Sequence, residues 1–167
     1  DLLYNHANAQ KLISSMLKED TDRRYGLILF DLDFFKNAND QHGHLFGDRV
    51  LKFVAKKILQ NIRSEDIAAR VGGDEFLIFA EYRDDFSYVV NRIFDSLADY
   101  YYNFKISISM GVAIYPKDGT TYEKLFQCAD QALYSSKQEG RNQYKFYERS
   151  MEGCLSVISP MDNEIED

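Results

Sequence analysis

The 167-residue sequence predicts an α+β fold, a central, mostly antiparallel sheet with helices packed on it. Three observations carry this. Segments with apolar residues at helical spacing interleave with short apolar runs of strand length. Two of those runs, 67–71 and 76–80, are joined by Gly72-Gly73-Asp74-Glu75. Gly-Gly between such runs marks a hairpin, because tight turns need residues that accept positive φ. The resulting order, α-β-α-β-β-α-β-α-β, contains a βαββαβ unit, which is a ferredoxin-like, palm-type core.

The elements follow in order. Residues 7–19 place Leu12, Ile13, Met16 and Leu17 at helical spacing, and 21–24 form a polar break. Residues 25–33 read YGLILFDLD. The unbroken run from Leu27 to Phe30 fits a central strand covered on both faces. It runs into Asp31-Leu32-Asp33, where a period of two points both carboxylates to one side. Such a pair is either a metal platform or a turn cap; one ligand and one structural acid are expected. Residues 34–48 form a polar loop with Gly43 and Gly47 that leads into a helix. Its His42 and His44 have no cysteine or further histidine beside them to complete a zinc site. Residues 49–63 repeat apolar residues at 50, 51, 54, 58 and 62, a helix with one buried stripe and Lys52, Lys56 and Lys57 off it. The hairpin comes next. Residues 84–102 form a helix buried through Phe86, Val89, Val90, Ile93, Phe94 and Leu97, with Tyr100-Tyr101-Tyr102 as partly buried aromatics at its end. Residues 105–115 are a strand, closed by Pro116 and Gly119. Residues 121–139 are the last helix, with Leu125, Phe126, Ala129, Ala132 and Leu133 on its core face, Cys128 beside that face, and Gly140 as C-cap. Residues 144–147 make a final strand.

The length fits one domain, 1–148, followed by an acidic tail, 149–167, that carries Pro160. Hydrophobic content of 45% and charged content of 28% are those of an ordinary globule. A net charge of −7 argues against a nucleic-acid partner, which would need a basic face. No apolar run reaches the ~20 residues of a membrane helix. Cys128 and Cys154 form no metal spacing and fit a reducing cytosol. A cytoplasmic domain is expected. The chain opens at Asp1 and not at a methionine, so an upstream sensor or membrane anchor is expected too.

The informative fact is co-occurrence. One strand ends in Asp31-Leu32-Asp33, and a hairpin tip carries Asp74-Glu75. If the central strand neighbours the hairpin, the acids meet, and two carboxylates with a backbone carbonyl make an all-oxygen magnesium site. Lys36, Lys137 and Arg141 are then available for phosphates. This is a pattern for metal-assisted nucleotidyl transfer.

Gly72-Gly73-Asp74-Glu75-Phe76 resembles the signature of the GGDEF family, the diguanylate cyclases. DLDFFKNANDQHGHLFGD (31–48) is similar to the family's D-x-D-x-F-K-x-x-N-D-x-x-G-H-x-x-G-D block, SISMGVA (107–113) to its S-x-G-V/I-A strand, and ADQALYSSKQEGRN (129–142) to its A-D-x-A-L-Y-x-A-K-x-x-G-R-N block. The resemblance spans nearly all of residues 1–147. It implies that Asp31, the Leu32 carbonyl and Asp74 hold Mg²⁺ (or Mn²⁺), with Glu75 nearby, and that Asp74 is the acid–base residue for the 3′-hydroxyl. It implies that Asn39 and Asp48 read guanine, with His44 at the pocket. The amides of Phe34 and Phe35, with Lys36, Lys137 and Arg141, hold the phosphates. Each domain binds one GTP, and a homodimer joins two into cyclic di-GMP with release of two pyrophosphates, so a dimerising segment is expected upstream. Arg63-x-x-Asp66 stands where the family's inhibitory product site stands, with Arg92 placed to assist; a helix-end ion pair is the plain alternative. One departure stands out. The family opens D-x-L-T-G-L-x-N-R, and here Tyr4, Asn5, His6 and Ala9 replace Thr, Gly, Leu and Arg. A catalytically weak domain that binds GTP or cyclic di-GMP is therefore the second reading.

Overall fold

A computed structural model describes residues 2–19 and 22–152. Asp1 of the opening motif, Thr21 of the polar break, Cys154 and residues 153–167 of the acidic tail lie outside the described residues.

The short strand β1 (Tyr4–Asn5) leads into α1 (His6–Lys18), whose N-terminus is capped by Asn5 accepting from the Asn8 N–H at 2.8 Å. Then come β2 (Arg24–Leu32), α2 (Phe35–His42), α3 (His44–Asn61), β3 (Ile67–Gly72) and β4 (Glu75–Tyr82). The chain continues with α4 (Ser87–Leu97), the small hairpin β5 (Tyr100–Tyr101) and β6 (Phe104–Lys105), β7 (Ile108–Tyr115), α5 (Tyr122–Gln138) and β8 (Gln143–Phe146). Arg149–Met151 closes in a single 3-10 turn.

Six strands form one sheet in the order β1-β3-β4-β2-β7-β8. The three inner pairs, β3–β4, β4–β2 and β2–β7, are antiparallel; the outer pairs, β1–β3 and β7–β8, are parallel. Strands β2, β3, β4 and β7 with their intervening helices are the βαββαβ core, and β2 is central. Alternation along β2 divides the core in two. Ile28, Phe30 and Leu32 face α3 and α4, while Tyr25, Leu27 and Leu29 face α1 and α5. Covered on both faces, a strand gains by being apolar at every position, which is why its interior reads as one run. Gly111 on β7 permits the close seat of α5: a Cβ there would lie 2.0 Å from the Ala129 carbonyl oxygen.

Two expectations are corrected. Residues 34–48 are not a loop. They form α2 and the first turn of α3, broken only at Gly43, whose φ of +89° turns the chain. The second correction concerns 98–105. The helix stops at Leu97, and the tyrosines enter the β5–β6 hairpin, with Tyr102 at φ 54°. There Tyr101 packs against Phe46 and Phe53 of α3, with ring centroids at 5.6 and 5.4 Å.

Candidate active site

The site is built on the end of β2. Asp31 and Glu75 are partners across the β2–β4 ladder, and the Leu32 N–H donates to the Asp74 carbonyl at 3.3 Å. The hairpin tip is thereby fixed on the acidic strand end. Gly73 makes the turn with φ +47°, and Arg70 Nε braces it by donating to the Gly73 carbonyl at 2.7 Å. Asp31, Asp74 and Glu75 are half-buried together. Burial first, then the nearby Asp31, Asp130 and Asp74 carboxylates, push the Glu75 carboxyl up to about 8, against an opposing pull from Lys137. Lys137 Nζ donates to Asp31 Oδ2.

Of the two acids at the end of β2, Asp33 is the structural one. The Asp33 side chain is fully buried. Its Oδ1 accepts from Ser109 Oγ at 2.7 Å, and its Oδ2 accepts from Ser107 Oγ at 2.7 Å and from the Asn142 N–H at 3.1 Å. Arg141 NH1 lies 3.9 Å from Oδ1. Asp33 therefore ties β2 to β7 and to the turn after α5. In that turn Arg141 and Asn142 are both left-handed, at φ 64° and 49°. The Arg141 guanidinium also sits over the Phe34 ring, 5.5 Å from its centroid. Phe34, itself left-handed at φ 60°, starts α2, so the amides of Phe35 and Lys36 lie at a helix N-terminus beside the acids.

The expected guanine-reading residues come from α2 and α3. Asn39 packs on Gly47, where a Cβ would stand 1.8 Å from Asn39 Oδ1. That Oδ1 is buried and has no hydrogen-bond partner among the described residues. His44 opens α3, and Asp48, one turn on, lines a cleft of about 730 Å³ together with Leu51, Ala55, Arg70, Phe76 and the two signature glycines. The altered opening segment forms part of its wall, through Leu3, Tyr4 and Asn5. His6 turns away, with Nε2 2.6 Å from the Tyr122 hydroxyl and its ring stacked on Phe126.

Arg63 and Asp66 lie elsewhere, at the far end of the α3–β3 connection. Asp66 Oδ2 accepts from the Arg63 N–H at 2.8 Å and stands 3.8 Å from Arg63 Nε. Arg63, 57% exposed, and Arg92 border a second hollow of about 600 Å³.

The residue that spacing did not single out is Asp130. It precedes Lys137 by seven positions on α5, two turns on the same face, and it is the acid of the A-D-x-A-L-Y block, so both the interval and the motif were available signals. Ser107 and Ser109 lie in the strand block that resembles S-x-G-V/I-A, but the residue pattern assigned them no role.

Among the described residues no group of three or more His, Cys, Asp or Glu side chains surrounds one point as a ready metal cage. The donor chemistry nonetheless fits a hard cation. Two carboxylates and a backbone carbonyl are all oxygen, and crowded negative charge of the kind that raises Glu75 is what a divalent ion relieves.

An acidic hairpin is thus pinned to the central strand of a ferredoxin-like sheet. The sequence profile of the diguanylate cyclase GGDEF domain matches residues 2–143, so the chain belongs to the GGDEF family. It is similar to the bifunctional diguanylate cyclase/cyclic di-GMP phosphodiesterase MucR of Pseudomonas aeruginosa, with 39% identity over 163 residues. That match covers 87% of this chain and 24% of MucR, so the chain spans about a quarter of that relative's length. The isolated GGDEF domain of PA1120 (TpbB or YfiN) from P. aeruginosa superposes with a TM-score of 0.83 at 28% identity, covering 89% of this chain and 92% of that one. The GGDEF domain of DgcB from Caulobacter crescentus, solved in complex with c-di-GMP, matches with a TM-score of 0.71 at 27% identity over 87% of this chain and 93% of that one. Among the described residues no helix is long and apolar enough to cross a membrane.

Proposed function

We propose that this domain is one half of a diguanylate cyclase, which joins two GTP molecules into cyclic di-GMP and releases two pyrophosphates. The observation that carries the reading is the pinning of Asp74-Glu75 against Asp31 by the Leu32–Asp74 backbone hydrogen bond. Magnesium or manganese, held by Asp31, Asp74 and the Leu32 carbonyl, supplies charge neutralisation at the triphosphate when bound. Lys36, Lys137, Arg141 and the α2 amides hold the phosphate oxygens. Asp74 accepts the 3′-hydroxyl proton as that oxygen forms its bond to the α-phosphorus of the GTP on a facing copy, from which pyrophosphate departs. The same step in the other direction closes the ring, so two copies are required. Asn39 and Asp48 hold guanine: the unpartnered Asn39 acceptor and the Asp48 carboxylate suit a base edge that offers N–H donors.

Selectivity tests the base assignment. Calorimetry is expected to show GTP bound in preference to ATP, with Asn39→Ala and Asp48→Ala each weakening GTP by about tenfold or more. Equal binding of both nucleotides, or no effect of either substitution, would contradict it.

Product inhibition belongs to the same reading, through Arg63 and Asp66 at the second hollow, with Arg92 on its rim. The alternative, a GTP- or cyclic di-GMP-binding domain of weak activity, draws on Tyr4 and Asn5, which line the cleft where the family carries Thr and Gly.

A further inference from the structure

Two cations stand behind the acidic tip, and they are held differently. Arg141 is anchored on both sides, to the buried Asp33 and over Phe34. Lys137 reaches from the last turn of α5 to Asp31, with both side chains 13% exposed. Its four-carbon stem turns freely, and its three donors have no fixed fork, so it can change partner where an arginine would be committed to one geometry. It sits among Asp31, Glu75 and Asp130. Its ammonium pairs with Asp31 and offsets part of the charge of that acidic group. A divalent ion on Asp31 would meet it within a few ångströms. Like charges that close repel in a half-buried site, so the ammonium on Asp31 Oδ2 weakens the hold of the same carboxylate on an ion.

We infer that Lys137 is an exchangeable counter-ion, which occupies Asp31 until a triphosphate offers it another anion, so that the metal enters with the nucleotide and not alone. This rests on the nucleotide site proposed above and adds its order of loading. The lysine would then oppose free metal and favour bound GTP. A residue serving only as a phosphate ligand would do the second without the first, and a residue serving only to brace α5 would do neither in a systematic way.

The opposed signs make the test. Mn²⁺ binding is measured by electron paramagnetic resonance at fixed pH on wild type, Lys137→Met, Lys137→Gln and Lys137→Arg, first with Mn²⁺ alone. Binding of a non-hydrolysable GTP analogue with Mn²⁺ is then measured by calorimetry. Lys137→Gln keeps a donor for Asp31 and serves if the methionine variant does not fold. The neutral variants are expected to bind Mn²⁺ alone about tenfold more tightly than wild type and the nucleotide about tenfold more weakly, with Lys137→Arg keeping weak metal binding. Asp31→Asn removes the gain. Mn²⁺ affinity in the neutral variants equal to or below wild type overturns the inference. If wild type binds no GTP analogue, the nucleotide reading fails, while the Mn²⁺-only arm still decides whether Lys137 guards Asp31.

Discussion

The Asp33 carboxyl is fully buried, and three hydrogen-bond donors and a guanidinium answer it. Removing such an acid strands its partners. Asp33→Ala is expected to cost about 3 kcal/mol in denaturant unfolding, and a loss below about 1 kcal/mol would show that the network is slack. Glu75 works in the opposite sense. Its carboxyl is raised from 4.5 to about 8, chiefly by burial, so the native protein holds that proton more tightly than the unfolded chain. Its contribution to stability is full below pH 4.5 and is lost as pH rises toward 8. Metal-free protein should therefore weaken across that window, and Glu75→Gln should flatten the slope; a variant with the wild-type slope would contradict the assignment. At this scale the sequence was informative about kind and less so about assignment. A period of two put Asp31 and Asp33 on one side. Which of them was the structural acid depended on Ser107, Ser109 and Asn142, brought there from 74 to 109 positions away.

The elements that positioned the site were mostly legible because their patterns are long. The apolar run of β2 and the Gly-Gly hairpin formed where the pattern placed them, and α3 carries its stripe at Val50, Leu51, Val54 and Ile58 but starts at His44 and ends before Ile62. The errors fell where a pattern is short. Residues 35–42 are polar with one buried residue, Ala38, so α2 presents almost no stripe to read. Likewise Tyr100–Lys105 follows a strongly amphipathic helix, and only contacts with Phe46 and Phe53 make it a hairpin. The seating of α5 on β7 is also a contact property. Gly111→Ala sets a methyl against the backbone of Ala129 and Leu133, which cannot yield as a side chain could. Thermal or denaturant unfolding is expected to show a loss of about 2 kcal/mol, and an unchanged stability would mean that α5 can lift from the sheet.

For the whole molecule, the assigned roles call for two copies. The residues proposed to hold metal, phosphates and base share one end of the sheet, and the proposed reaction needs a second such end facing it. The hollow beside Arg63 and Arg92 lies away from that end and would report product without touching substrate. Arg63→Ala is therefore expected to lose cyclic di-GMP binding by calorimetry while GTP turnover persists; unchanged product affinity would remove the site from the account. None of this pairing can be read from one chain's periodicities, which describe burial within a domain and not the meeting of two. The central claim is catalytic, and one measurement addresses it: the chain, artificially dimerised, is incubated with GTP and Mg²⁺, and the nucleotides are separated by chromatography. The account predicts cyclic di-GMP from wild type and none from Asp74→Ala. No cyclic di-GMP from either would contradict the cyclase and leave a nucleotide-binding domain in its place.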